Sequence, residues 1–592
     1  MSSISVIYNR TGHRKPFTVF MRESRPAQII LCALIGAIVG IITGVIHALV
    51  AFLHCAVFML PFEEHLSGAV QIDARLLFTV PIAGGLLLGL FYTVVRKLRP
   101  GEIVDPIEAN AIHGGRMSVI DSLRVLVSTI ISNGSGISVG MEAAYTQMGA
   151  CFLSWIGQRL QLRREDMRIF VAAGAAAAIA AAYNAPLAGA FYGFELVLGT
   201  YTIAALPQVT LCALTAALVL RLFTAGNPIF TLPMAALDVP ARDYFAFVLV
   251  GVASSLVGIA TMKAVTGCEQ LFRRMKMVPE WMRPAIGGLL VGALAWCLSP
   301  QVLGSGQGGI DLHLHNGFPL LFLVLLLAGK ILASALSIGS GFRGGLFSTS
   351  LFLGCLVGQI AGILASHFMP VSDTGVETFM LAGTGSVAAA IIGAPMTMII
   401  LVLEMTGSFP AMTAVLAGVL VASTGTRYWF GYSFSTWRFH LKGIHIRGPR
   451  DVGWVRELTV DKLMATAPVI VMADTPLEAV RRENPAANRR SVFVSDDKGN
   501  YQGVVSMADL HAGPADAMPQ PAVAGDLAKG KNWFLLPHQD IQQARQIFAD
   551  SRLEELPVLE SALSQKIVGY IQEPQLLKRY AQELEHRQMA QS

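Results

Sequence analysis

Long apolar runs recur along this chain, and glycine or proline interrupts many of them. That pairing constrains the fold more than any single motif. A helix crossing the hydrocarbon layer needs about 20 apolar residues. The first run covers roughly 27–55. Others follow near 77–95, 119–132, 143–160, 168–182, 186–200, 204–224, 243–265, 284–298, 318–338, 344–365, 376–392, 395–407 and 411–426. Several are too short to span about 30 Å at about 1.5 Å per residue. Broken helices are tolerated at membrane depth only where protein or a water-filled cavity surrounds the break. Charged residues make up 14% of the chain, against about 25% in soluble domains, so an ordinary soluble protein is excluded. A net charge of +5 is too small to argue for nucleic acid. Basic clusters at Arg96/Lys97/Arg99, Arg159/Arg163/Arg164/Arg168 and Arg273/Arg274/Lys276 suggest cytoplasmic turns. The seven cysteines lack zinc-ligand spacing, and most lie in apolar segments, as packing residues do.

The charge is unevenly distributed. Residues 451–592 hold 34 of the 83 charged residues, about 24% of that segment, against about 11% of residues 1–450. The first density suits a soluble domain and the second a membrane domain. The chain therefore divides into an N-terminal cytoplasmic segment (1–26), a membrane domain (27–443), a linker (444–457) and a soluble tail (458–592). Arg10, Arg14, Lys15, Arg22 and Arg25 precede the first apolar run, which reads as a cytoplasmic tail ahead of a spanning helix rather than a cleaved leader.

The membrane domain repeats itself, with halves at about 77–225 and 284–428. At an offset of 209, Phe170-Val-Ala-Ala-Gly174 aligns with Phe379-Met-Leu-Ala-Gly383, Ala185-Pro186 with Ala394-Pro395, and Glu195 with Glu404. At an offset of 205, Gly134-Ser135-Gly136 aligns with Gly339-Ser340-Gly341, Gly140 with Gly345, and Gly149 with Gly354. Repeated halves with matching broken segments point to a transporter-like fold with its site at the repeat interface.

Chemistry concentrates at two breaks. The first reads Asn133-Gly-Ser-Gly-Ile-Ser-Val-Gly-Met-Glu142, the second Gly339-Ser-Gly-Phe-Arg-Gly-Gly-Leu-Phe347. A helix start leaves backbone N–H groups unpaired and carries about +0.5 charge, and glycine lets an anion approach them. Two such starts meeting at mid-membrane would bind an anion weakly enough to release it. Glu142 opens a membrane helix beside that place, and a carboxylate there is a functional candidate by default. It can occupy the anion's position when ionised and leave when protonated. Glu195 and Glu404 each end a repeat helix, a symmetry that suits a structural role. His113 reads as a loop residue.

These motifs resemble the CLC chloride channel and transporter family, and within it the bacterial ClcB-like branch. Gly140-Met-Glu142-Ala-Ala-Tyr-Thr-Gln-Met-Gly149 resembles the family's gating segment. Tyr183-Asn-Ala-Pro-Leu-Ala-Gly189, the second glycine-rich break, and Gly393-Ala-Pro-Met-Thr397 through Glu404 resemble three further signatures. The resemblance covers about 27–443. It implies an all-α polytopic membrane protein of two inverted-repeat halves with broken helices. It also implies a homodimer in the lipid bilayer, with one anion pore per subunit. Glu142 matches the external gating glutamate. Leu346 and Phe347 match the residues whose backbone N–H groups hold the central anion, with Gly140 and Met141 contributing beside the gate. The family's anion-contacting tyrosine aligns with Ser435, with Tyr432 and Phe434 as alternatives. Ile103 stands where its anion-contacting serine would be. Leu196 replaces the antiporters' internal proton-transfer glutamate, which leaves Glu142 and Glu195 as the proton pathway if one exists.

The tail repeats at an offset near 66 and resembles a pair of CBS domains, at about 458–512 and 521–582, placed in the cytoplasm. Such α/β pairs often bind adenine nucleotide. Asp509 stands at the ribose-binding position, and Gln575 is its counterpart in the second copy. No other cofactor and no metal is expected. The expected function is transport of chloride and similar monovalent anions through a pore gated by Glu142, passive or weakly proton-coupled. A proton-coupled antiporter is the alternative, and an intramembrane enzyme a remote one, since neither a His-Glu-x-x-His pattern nor a nucleophile elbow is present. The expected place is the cell membrane, multi-pass, which is the inner membrane in a Gram-negative source.

Overall fold

The structure, a computed structural model, describes residues 7–8, 14–15, 24–61, 64–98, 103–223, 239–240, 243–368, 375–441, 459–483, 491–511, 523–551 and 553–576. The linker at 444–457 lies outside these, as do Gly101, Glu102 and most of 1–26. Within that first segment, Ile7–Tyr8 (β1) pairs antiparallel with Arg14–Lys15 (β2). The chain divides into two compact units, 1–451 and 452–592.

Among the described residues, eight helices of the first unit are long and apolar enough to cross a membrane. Helix α1 (Arg25–Phe58) starts where the Ser24 hydroxyl accepts a hydrogen bond from the Ala27 N–H, with proline in its first turn. Its 34 residues extend about 51 Å at about 1.5 Å each, longer than the hydrocarbon layer, which favours a tilt. Next come α2 (Ala74–Leu98), α3 (Pro106–Ala111) and α4 (Val119–Gly134). Helices α5 (Glu142–Arg159), α6 (Arg164–Tyr183), α7 (Pro186–Tyr192) and α8 (Leu206–Phe223) complete the first half, with a π-helical turn at Gly193–Leu198. Helices α9 (Tyr244–Arg274), α10 (Arg283–Cys297), α11 (Gln307–His315) and α12 (Leu320–Gly339) follow. The last are α13 (Phe347–Phe368), α14 (Val376–Ile392), α15 (Pro395–Thr406), α16 (Phe409–Trp429) and α17 (Phe434–Leu441).

The repeat is visible in the packing. Where α5 crosses α6, Gly149 and Gly174 face each other. A Cβ on either would come within 2.3 Å of the other's carbonyl oxygen or closer. Gly354 and Gly383 make the same crossing between α13 and α14, again with room for no Cβ. Glycine is required at all four positions because the backbones themselves touch. Helices α6 and α14 are buried almost along their whole length, so each runs through the middle of its half. Cys32, Cys151, Cys212 and Cys355 are buried and Cys55 and Cys268 half-buried, but Cys297 is exposed on α10 rather than packed.

In the second unit, β3 (Ile470–Met472) runs parallel to β4 (Ser491–Ser495), and β4 antiparallel to β5 (Tyr501–Ser506). Strands β6 (Glu555–Leu559) and β7 (Ile567–Gln572) form a matching antiparallel pair. Ser491 pairs with Ser506, and Glu555 with Gln572. The second copy therefore lies 64 residues on in the first strand and 66 in the second, so its hairpin loop is two residues longer. Each β4–β5 and β6–β7 pair carries an irregularity near its loop end. Phe493, Tyr501, Val504 and Leu559 form one buried cluster across the two copies.

Candidate functional site

The two glycine-rich breaks meet. The Gly140 N–H donates to the Gly345 carbonyl at 2.8 Å, and the Gly345 N–H to the Gly140 carbonyl at 3.0 Å. Helix α5 begins two residues after Gly140 and α13 two residues after Gly345. The two helix N-termini therefore start on either side of one antiparallel bridge. Gly136 (φ 78°) and Gly341 (φ 109°) take left-handed turns that let the chain leave α4 and α12 for this bridge. The Asn133 side chain ties the first break by donating to the Val139 carbonyl at 2.7 Å. The Gly304 N–H donates to the Gly136 carbonyl at 3.0 Å.

The side chain of Glu142 fills the space between the helix starts. It is buried, with one carboxylate oxygen held by two hydroxyls. The Tyr183 hydroxyl donates to Oε1 at 2.5 Å, and the Ser348 hydroxyl donates to the same oxygen. Tyr183 Oη and Ser348 Oγ are also 2.7 Å apart. Oε2 is buried and has no hydrogen-bond partner. A Cβ on Gly140 would come within 2.0 Å of it, and one on Gly345 within 3.6 Å. The carboxylate thus stands against the glycines of both breaks, where two partial positive charges converge. Leu346 and Phe347 are buried beside it. The Phe347 ring lies 5.0 Å from that of Tyr183 and 6.1 Å from that of Tyr192. Leu346 shares an apolar cluster with Phe434. Ser435 is half-buried in α17, and the Tyr432 hydroxyl contacts His440 Nδ1 at 3.2 Å. Ile103 is half-buried, in the segment where Gln147 holds the Val104 carbonyl at 3.0 Å.

Glu195 and Glu404 lie elsewhere and exchange roles. The Glu195 carboxylate accepts from the N–H groups of Met396 and Thr397, at 2.9 and 2.8 Å, capping α15 of the other half. The Thr397 hydroxyl adds a bond of 2.6 Å. The Glu404 carboxylate accepts from the N–H groups of Leu187 and Ala188, at 2.9 and 2.8 Å, capping α7. Leu196 is buried in the apolar cluster of the first half. His113 is exposed in the turn after α3.

Three features escaped the sequence reading. Tyr183 and Ser348 became partners of Glu142 only through folding, since they lie 41 and 206 residues away. Lys330 is fully buried in α12, and its ammonium donates to the carbonyls of Val302, Leu303 and Gly304 at 3.0, 3.1 and 2.9 Å. Three carbonyls match its three hydrogens, and a lone lysine in an apolar run was its signal. Finally His47 and His54, seven residues apart on α1, line a cavity together with Glu142.

A family model, described as voltage gated chloride channel, matches residues 84–427. The chain belongs to the CLC family. A ClcB-like chloride channel protein of Ralstonia nicotianae is 34% identical over 358 residues, covering 59% of this CLC chain and 82% of the relative. The voltage-gated ClC-type chloride channel ClcB of Salmonella dublin is 33% identical over 352 residues, covering 59% and 83%. Among solved structures, a slow cyanobacterial chloride/proton antiporter superposes with a TM-score of 0.62 at 22% identity, covering 71% of this chain and 98% of that one. A eukaryotic CLC transporter superposes with a TM-score of 0.58 at 17% identity, covering 94% and 98%. The CLC chain is thus a multi-pass membrane protein with a small α/β region at its C-terminal end. Its family is one of channels and transporters rather than enzymes.

Proposed function

We propose that this chain carries chloride and similar monovalent anions across the cell membrane and that Glu142 gates the pathway. The observation that carries this reading is the Glu142 carboxylate lodged between two helix N-termini. An anion seeking the same N–H groups meets a like charge. At about 4 Å and an effective dielectric near 20, that repulsion is about 4 kcal/mol, roughly a thousandfold in occupancy. Protonation removes the charge, and the neutral side chain yields the site. The Gly140 N–H is taken by the Gly345 carbonyl, so the backbone N–H groups of Met141, Leu346 and Phe347 are the ones that would then face the anion. With Ile103 at the serine position, selectivity among monovalent anions is broad.

Transport is passive or weakly proton-coupled, because Leu196 cannot carry a proton where the antiporters place a glutamate. Full antiport is the second reading, and one observation favours it. Glu142 Oε1, Tyr183 Oη and Ser348 Oγ form a close triangle of three contacts. A hydroxyl both donates and accepts, so this pair offers the carboxylate a route for a proton. Glu195 would then have to continue the proton route. The active form is a homodimer, and the tail is a cytoplasmic CBS pair in which Asp509 would take the ribose of an adenine nucleotide.

Reversal potentials in lipid bilayers under a pH gradient test both readings. Anion-selective current whose reversal potential ignores the gradient supports the passive reading, and a shift towards the proton gradient supports antiport. Cation selectivity, or the absence of anion flux from well-folded protein, overturns the proposal.

A further inference from the structure

Glu142 lines a cavity of about 40 Å³. Its walls carry three imidazoles, those of His47 and His54 from α1 and that of His65 from the segment after it. A water needs about 10–15 Å³ of such space, so the cavity has room for about three. The four side chains differ in burial. His47 and His65 are exposed, His54 is half-buried and Glu142 is buried. The rings of His47 and His65 are 6.0 Å apart, edge to face. His47 Nδ1 lies 3.4 Å from the hydroxyl of Tyr145, one helical turn beyond Glu142. His54 Nε2 is 2.8 Å from the Asn133 carbonyl. A carbonyl only accepts, so Nε2 carries the hydrogen and Nδ1 is the accepting nitrogen of the neutral ring. Glu142 lines the same cavity, and its Oε2 has no hydrogen-bond partner.

Other ionisable groups do not account for the cluster. From α11, the Asp311 carboxylate acts on His65 and also lies 3.7 Å from His315. Glu64 precedes His65 and is exposed. Tyr145 and Tyr183 face the carboxylate from α5 and α6. Among the described residues no group of histidine, cysteine and carboxylate side chains has metal-binding geometry.

We propose that His47, His54 and His65 form a proton relay that loads and unloads Glu142 from the outer solution. A hydronium ion protonates an exposed imidazole, which passes a proton through cavity water to the Glu142 carboxylate and returns to neutral. The carboxyl group then leaves the helix starts, and the reverse sequence closes the site. This rests on Glu142 being the external gate.

The test measures anion flux from liposomes while pH is varied on the outside only. The variants are His47→Gln/His54→Gln/His65→Gln, Glu142→Gln, and the four changes together. General acid–base groups contribute roughly a hundredfold or more, so the triple variant should lose on the order of tenfold or more of the acid-stimulated flux. In the Glu142→Gln background the same three changes should leave flux unchanged, which also shows that they permit folding. External imidazole should restore acid-stimulated flux to His47→Ala. A parental pH profile in the triple variant overturns the relay while leaving the gate intact. An equal loss in the Glu142→Gln background assigns the histidines a structural role and also overturns it. Unchanged pH dependence in Glu142→Gln alone overturns gate and relay together.

Discussion

Gly140 and Gly345 exchange both of their backbone hydrogen bonds although 205 residues separate them. They are equivalent positions of the two repeats, so the bridge joins each half to the other at the same point. It sets two helix N-termini side by side and leaves Glu142 the only carboxylate, among the described residues of the two breaks, placed to neutralise them.

Replacing that carboxylate should open the pathway. Glu142→Gln keeps the shape and removes the charge, so anion flux should persist and lose its dependence on external pH. Flux from liposomes over an external pH series checks this. A variant with the parent's pH profile would remove Glu142 from the gate.

The hydroxyls of Tyr183 and Ser348 both donate to Oε1 of Glu142, and under the proposed gating they hold its ionised form in the site. A hydrogen bond to a charged group is worth about 1.5–3 kcal/mol. Ser348→Ala and Tyr183→Phe should each raise flux at neutral external pH, by about tenfold if about 1.4 kcal/mol is lost. Both should be without effect on gating in the Glu142→Gln background.

Leu196 bears on coupling. Leu196→Glu should create or strengthen proton movement during anion transport, read as a shifted reversal potential under a pH gradient. A well-folded variant with unshifted reversal would show that this position lacks access to the proton route.

Glu195 and Glu404 should matter to a similar degree for stability, since each caps one helix with two N–H bonds. Glu195→Gln and Glu404→Gln should each cost about 1–3 kcal/mol, seen as matched falls in the thermal midpoint of the detergent-solubilised protein. A Glu195→Gln variant that kept its midpoint but lost proton movement would instead favour a place in the proton pathway.

In the tail, the Lys529 ammonium lies 3.1 Å from Asp509 and holds its carboxyl below the usual range, with the Ser506 hydrogen bond adding to this. A depressed carboxyl stabilises the fold above its unfolded value near about 3.9 and loses that contribution as pH falls through the folded one. Both side chains are exposed, so the contribution should stay under about 1 kcal/mol. Calorimetry with the full chain and AMP, ADP or ATP tests the nucleotide reading. Asp509→Asn should weaken binding about tenfold or more, the loss of about 1.4 kcal/mol. No binding to the parent would reject it.

The membrane fold was legible because hydropathy and the two offsets are properties of the chain in order. Every apolar run of the sequence reading has a helix in the structure. The short segments without a hydrophobic period, α3, α11 and α17, were not marked, because their residues are specified by neighbours. The same division holds at the site. Glu142 announced itself as a charge in an apolar segment. Tyr183 and Ser348 look unremarkable in sequence, since a hydroxyl is common in membrane helices. His47 and His54 carried a signal, two imidazoles on one face of an apolar helix, that a search for repeats and carboxylates passes over.

The crossed caps of Glu195 and Glu404 carry an implication about ancestry. Each half satisfies a helix end that belongs to the other, and neither satisfies its own. A separated half would be left with a bare helix start and an idle acid. Two identical halves inserted in opposite orientations would need only one glutamate, serving both partners at once. The present arrangement is what gene duplication and fusion would preserve from such an antiparallel pair. The halves differ at the glycine-rich breaks themselves, where one carries Glu142 and the other, 205 residues on, carries Phe347.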